Sequence, residues 1–413
     1  MQLLTPAIQR NNIRYLYGDI FWMSAAFAVE WYFLGIFAIR LGATPLQIGL
    51  ITSLRALMMV IGSTLATRWR ARFRNHIAAL DIPTVAYRVL LYFAVASVAF
   101  LPDDWRVNAM VVVVVLSAIP TGIAQGVFLG MMRYAVDERD LARVVARRSI
   151  LMNATVLIWV LILGQFLERV TFPLNYQIGF FMAFLASMLS WWDIHRIKVP
   201  DVVITFTSES SATRVNVWKY APFTRFALMI FMINFSVFMA APIVPLQLVR
   251  GLNASDGWIS IFGIFEMAAG VLATLRIEWL IRRFGIGRLI TITTFATVMH
   301  PFILGLTTNY ALYIVGVVIW GTGWFTVNVL LFNRLVEIVP NEDFSHYAAA
   351  YQLLINVAAF TGPLVGTFLI ENGISLVTTL LIIAGLRCFA SILTWIMRPK
   401  LTSPTAQPLV EVA

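Results

Sequence analysis

Long apolar runs separated by short polar turns recur from residue 16 almost to residue 397. A helix needs about 20 mostly apolar residues to cross a bilayer. Val107 to Met132, Ser149 to Leu167, Val170 to Trp192, Phe226 to Val249 and Phe344 to Ile370 each supply one such span. The run Leu289 to Asn333 carries no Asp, Glu, Lys or Arg and is too long for one crossing. Gly305-Leu306-Thr307-Thr308-Asn309 divides it in two, because Gly, Thr and Asn favour a turn over continued helix. Five further spans each tolerate charge: 17–39 with Asp19 and Glu30, 46–67 with Arg55, 77–101 with Asp81 and Arg88, 257–280 with Glu266, Arg276 and Glu278, and 374–397 with Arg387. The pattern predicts an all-α polytopic membrane protein with twelve transmembrane helices.

Composition agrees. Of 413 residues, 60% are apolar and 12% charged, against roughly 45–50% and about 25% in soluble domains. A soluble fold could not hide that much apolar surface, so the lipid bilayer is the solvent. A net charge of +10 would raise nucleic acid as a partner for a soluble chain, but its distribution gives another meaning. Counting Arg276 at the end of its span, twenty-three of the thirty basic residues fall in alternate loops, and only Arg40, Arg106, Arg169 and Arg250 in the others. Short cytoplasmic loops are enriched in Lys and Arg, which predicts both termini in the cytoplasm, a plasma or inner membrane location, and no nucleic-acid partner. The polar residues 1–16 and the length of the first span argue against a cleaved signal peptide. The single Cys388 and four scattered histidines provide no metal site, and no Gly-x-Ser-x-Gly, His-Glu-x-x-His or nucleotide loop occurs. No enzyme, no cofactor and no ATP-driven pump is expected.

The chain repeats itself. Leu41-Gly42-Ala43-Thr44-Pro45-Leu46-Gln47-Ile48 aligns with Leu252-Asn253-Ala254-Ser255-Asp256-Gly257-Trp258-Ile259, and the same offset carries Arg72-Phe73 onto Arg283-Phe284. Further on, Asn153 matches Asn356. The longest polar stretch divides the chain, which predicts a first six-helix bundle at 1–195, a cytoplasmic linker at 196–222, a second bundle at 223–398 and a tail at 399–413. Internal symmetry of this kind marks transporters built from repeated bundles, with sites near the midplane between them.

Six spans plus six, cytoplasmic termini, and a basic loop after span 2 echoed after span 8 resemble the Major Facilitator Superfamily. That family's loop signature combines Gly, Asp and basic residues. Here Thr67-Arg68-Trp69-Arg70-Ala71-Arg72-Phe73-Arg74 and Glu278-Trp279-Leu280-Ile281-Arg282-Arg283-Phe284-Gly285 keep the basic residue at Arg72 and Arg283 and lack the aspartate. The resemblance implies a cytoplasmic gate at Arg72 and Arg283, with its salt bridge weakened or rebuilt. Gly122-Ile123-Ala124-Gln125-Gly126 resembles the span-4 signature with Gly122 in place of its arginine. Span 5 lacks the Gly-Pro signature of drug/proton antiporters, although Gly362-Pro363 in span 11 resembles it. The fold implied is two pseudo-symmetric six-helix bundles, and the activity implied is secondary transport by a monomer.

A charge at the bilayer centre costs a few kcal/mol or more, so each needs a partner, a water path or a function. Glu30 and Arg55 lie about ten residues either side of one turn, hence at the same depth on adjoining helices. They form an expected ion pair, structural or coupled to protons. Asp19 shares a helix face with Glu30, and Met23, Ala26, Phe33 and Phe37 fall near the same stripe. Span 1 lines the central cavity in the family, which makes that stripe a candidate substrate wall. Glu266 has no evident counter-ion, and burial without one favours the protonated carboxyl, as suits a proton carrier. Structural roles are expected for Arg88, Arg387 and the helix-kinking His300-Pro301. Gln125, Asn234, Asn328, Trp320 and Trp324 are further cavity candidates. The function expected is transport of a small organic solute by alternating access, coupled to protons through Glu30, Glu266 or Asp19. The alternative is a non-transporting member of the same fold: an assembly factor, receptor or pigment- or lipid-associated scaffold.

Overall fold

A computed structural model describes residues 5–201, 216–340 and 343–397. Most of the predicted linker and all of the predicted tail at 399–413 lie outside the described residues. The described residues contain no strand, and twelve helices are long and apolar enough to span a membrane. They are α1 (Pro6–Arg40), α2 (Pro45–Arg70), α3 (His76–Phe100), α4 (Asp103–Ala135), α5 (Glu138–Arg169), α6 (Leu174–His195), α7 (Ala221–Gly251), α8 (Asp256–Leu275), α9 (Ile286–Leu306), α10 (Tyr310–Ile338), α11 (His346–Glu371) and α12 (Leu376–Ile396). Large apolar side chains such as Val112, Ile158, Leu272 and Phe389 are exposed, as a surface facing lipid tails requires.

One predicted span is corrected. The helix predicted at 257–280 stops at Leu275, where Arg276 leaves helical geometry, and Glu278 belongs to a separate short helix, Ile277–Phe284. Charges near its end let the chain leave the bilayer early.

The repeat is visible in the backbone. Gly42 and Asn253, equivalent by the sequence alignment, both adopt positive φ, 96° and 50°. The residues that open the next helices are equivalent too: the Thr44 side chain accepts from Gln47 N–H, and the Ser255 side chain from Trp258 N–H. Gly and Asn tolerate the left-handed conformation, and Ser and Thr satisfy free N–H groups of a helix start.

Packing repeats as well. In the first half α1 packs on α5 and α6, α2 on α4, and α3 on α6; in the second, α7 packs on α11 and α12, α8 on α10, and α9 on α12. The bundles meet through α2 on α11 and α5 on α8. At the end away from the arginine-rich loops, small residues let the bundles close: a Cβ on Gly49 would lie 2.5 Å from Thr367 Oγ1, and one on Gly164 would collide with Ser260 Oγ. One apolar core runs through both bundles at that end. At the arginine-rich end the core splits into two separate clusters, one per bundle.

Candidate functional site

Side-chain hydrogen bonds that cross between the bundles cluster at the closed end. Arg40 Nη2 lies 2.9 Å from Asp256 Oδ1, and Tyr176 O–H donates to the same oxygen at 2.6 Å. Arg250 donates to the Ala43 carbonyl at 2.6 Å, Leu46 N–H to Glu371 at 3.1 Å, and Ser255 pairs with Glu168. These bonds form a polar latch beside the Gly49 and Gly164 crossings. Arg72 and Arg283 stand at the other end, exposed, and neither forms an ion pair with a described residue. The apolar core is likewise divided at this end, one cluster in each bundle.

Below the latch, between the bundles, lies a cavity of about 460 Å³. Trp31, Tyr32, Met152 and Asn153 line it from the first bundle; Pro245, Phe262, Glu266, His300, Tyr313, Trp324 and Phe325 line it from the second. The candidate stripe on α1 turns elsewhere. Phe33 and Phe37 are fully buried, and Phe37 stacks on Tyr176 at 4.8 Å and packs on Phe180 at 5.6 Å. That face of α1 looks into its own bundle, towards α6, and the neighbouring face carrying Trp31 and Tyr32 meets the cavity. Adjacent residues point about 100° apart on a helix. The two aromatic residues directly after Glu30 are the sequence signal for the cavity wall.

Asp19 and Glu30 are held within the first bundle. Glu30 sits in a π-turn, Val29–Phe33, a helical irregularity common at functional positions. It pairs with Arg55 and accepts from Tyr92 O–H at 2.7 Å. Asp19 is 2% exposed. It pairs with Arg148 and accepts from Ser190 O–H at 2.6 Å, and Ser190 in turn accepts from Arg88 at 2.8 Å. The charge pattern places Arg148 in a loop, but α5 continues helical beyond its apolar stretch and carries this side chain inward, over the Phe128 ring at 4.5 Å. Replacing Tyr92 with phenylalanine removes one donor to a buried carboxylate, and chemical denaturation is expected to register a loss of about 1.5–3 kcal/mol.

Glu266 is differently placed. Among the described residues its one hydrogen bond is from Trp320 Nε1–H, at 2.9 Å. The segment Trp320-Gly321-Thr322-Gly323-Trp324 explains how the indole gets there. Positions four apart share a helix face, so Trp320 and Trp324 stack with ring centres 5.5 Å apart and planes 6° from parallel. Gly321 and Gly323 flank them on opposite sides. A Cβ on Gly321 would collide with the Glu266 carbonyl oxygen, and one on Gly323 would lie 2.8 Å from that of Thr293. Glycine thus lets α10 touch α8 and α9 at once. Gly321→Ala is expected to force α8 and α10 apart and cost about 1–3 kcal/mol, measurable as a lowered melting temperature.

Arg387 stands behind the indole, its guanidinium carbon 4.6 Å from the Trp320 ring centre. Pro301 has no N–H to give to the Thr297 carbonyl one turn earlier, and Arg387 Nη1 donates to that carbonyl at 2.7 Å. The proline break therefore anchors the arginine. His300 stacks on Trp320 at 5.1 Å and shares a 2.8 Å hydrogen bond with Tyr313.

The remaining candidates are not gathered here. Asn234 is buried within α7 and donates to the Ile230 carbonyl at 2.9 Å, and Asn328 donates to the Trp324 carbonyl at 2.7 Å. Gln125 is exposed on α4, outside the residues lining the cavity. Among the described residues no group of three or more His, Cys, Asp or Glu is placed to hold a metal ion.

Two symmetric six-helix bundles enclosing a polar-spotted cavity define an integral membrane protein of the transporter type. The sequence profile of the Major Facilitator Superfamily matches residues 20–363, and the chain belongs to that family. Solved structures with the same fold include the nucleoside transporter NupG, TM-score 0.75 at 14% identity, covering 94% of this chain and 100% of that one. A bacterial homologue of the iron transporter ferroportin in an inward-facing state gives 0.72 at 12%, covering 96% and 99%. The xylose transporter XylE from E. coli, in an inward-open conformation, gives 0.65 at 13%, covering 96% of each chain. No curated protein sequence matches this chain.

Proposed function

We propose that the protein is a secondary active transporter that moves a small organic solute across a plasma or inner membrane by alternating access, coupled to protons through Glu266. One observation carries this reading: Glu266 lines the cavity between the bundles and, among the described residues, is bonded to a single neutral donor, Trp320. Asp19 and Glu30 each have an arginine and a hydroxyl, and are structural ion pairs of the first bundle. The groups around Glu266 are Tyr32 from α1, His300 from α9, Tyr313 from α10 and, across the indole, Arg387 from α12; α5 and α7 bring no charge to the cavity among the described residues. With the arginine-rich end in the cytoplasm, the latch seals the outer side and the conformation faces inward.

Solved structures of this fold include a nucleoside transporter, a xylose transporter and a homologue of an iron transporter, and the aromatic lining of this cavity favours the organic solutes among these cargoes. The test is reconstitution into liposomes with an internal pH dye. Imposing a pH gradient is expected to accumulate solute, and imposing a solute gradient to move protons. Protein that does neither with any solute of a broad panel would instead be a scaffold or receptor of this fold.

A further inference from the structure

Resting on the reading of Glu266 as the coupling carboxylate, we infer that the solute is a monovalent organic cation: an amine on a flat apolar body, seated with its charge on Glu266.

Charge is the first ground. Among the described residues Glu266 is the one acid lining the cavity, and neither Arg nor Lys lines it. The buried arginines lie outside the cavity lining: Arg55 pairs with Glu30 and Arg148 with Asp19, Arg88 donates to Ser190, and Arg387 donates to the Thr297 carbonyl behind the indole. An anionic solute would meet a like charge with no cation in the cavity lining to receive it, and a neutral one would be tolerated only while the carboxyl keeps its proton. An ammonium compensates the carboxylate directly.

The walls are the second ground. Trp31, Tyr32, Phe262, Trp324 and Phe325 line the same cavity as Glu266, and Asn153 adds an uncharged polar side chain to it. Aromatic faces attract cations through their quadrupoles and stack on flat bodies. A volume of about 460 Å³ falls within the roughly 300–1,000 Å³ typical of sites for drug-sized molecules.

Site chemistry then sets the transport mode. A proton and an amine cation compete for one carboxylate, so the site is neutral when loaded with either and anionic when empty. One positive charge moves each way per cycle. Exchange of a monovalent amine for a proton is therefore electroneutral.

Three matched sets of probes test this by thermal shift on the purified full chain: phenethylamine and tryptamine, the neutral phenethyl alcohol and tryptophol, and the acids hydrocinnamate and indolepropionate. The amines are expected to bind at least about tenfold more tightly than the neutral partners, and to release protons in lightly buffered solution. Glu266→Gln, whose amide oxygen still accepts from Trp320, is expected to erase that preference. Trp324→Leu is expected to weaken tryptamine several-fold while keeping the amine preferred over tryptophol. Alcohols or acids binding as tightly as the amines, or a preference that survives Glu266→Gln, overturns the cation assignment. The two readings fail separately. Glu266-dependent proton flux driven by a neutral or anionic solute overturns the cation class alone. Amines that bind through Glu266 without driving proton flux in liposomes support the cation site and overturn the coupling.

Discussion

Glu266→Gln is expected to lower solute-driven proton movement in proteoliposomes to the level of protein-free liposomes while leaving the protein folded. Glutamine has the same shape, keeps an oxygen for the Trp320 N–H, and cannot exchange a proton. Its melting temperature should stay within about 2 °C of the parent, the shift that roughly 1–2 kcal/mol produces in a chain of 413 residues. Glu30→Gln is the control. It removes charge from a pair with Arg55 rather than from the cavity, so it should destabilise the first bundle more than it impairs coupling. Unchanged proton flux in Glu266→Gln sinks the coupling proposal. Equal loss in both variants at intact stability would instead assign coupling to both carboxylates.

Breaking the latch at Asp256 should move the protein into its other conformation. Asp256 receives Arg40 and Tyr176 together, and Asp256→Ala leaves both donors in a closed interface without their acceptor. Removing one partner of a fully buried pair costs about 3–5 kcal/mol. The Arg40 side chain is 28% exposed, and solvent screening reduces this to about 2–3 kcal/mol. At about 1.4 kcal/mol per tenfold, that shifts the conformational equilibrium by roughly 30- to 150-fold. The readout is labelling of Leu248→Cys in a Cys388→Ser background with an impermeant maleimide added from the latch side. Leu248 lines the cavity and is 6% exposed, so it should resist labelling in the parent and react in Asp256→Ala. Identical labelling would mean that the Gly49 and Gly164 crossings, rather than the polar bonds, hold the bundles shut.

Depth in the membrane is linear in residue number because a helix rises a constant 1.5 Å per residue, so the equal depth of Glu30 and Arg55 is legible in the sequence. Azimuth is not. In a lipid-facing protein both the lipid side and the packed side of a helix are apolar, so hydropathy does not say which stripe turns inward. The stripe through Phe33 and Phe37 faces α6, and Trp31 and Tyr32, one step round the helix, face the cavity. Arg148 reads as a loop residue for a related reason: a charged helix segment beyond an apolar run carries no apolar signal, although α5 continues through it.

Features that depend on local chain properties are therefore written in the sequence: twelve spans in their apolar length, the half-and-half repeat in matching turns at Gly42 and Asn253, and the carboxylates that lipid does not tolerate without compensation. Features that depend on distant residues meeting exist only in the packed molecule. Packing joins Arg40 to Asp256 across the bundles and sets Arg387 behind Trp320 through the carbonyl that Pro301 leaves free. It provides Asp19 and Glu30 with arginine partners while Glu266 receives one indole N–H. Buried charge is read by its neighbours, and neighbours across a bundle are set by packing that no stretch of sequence contains.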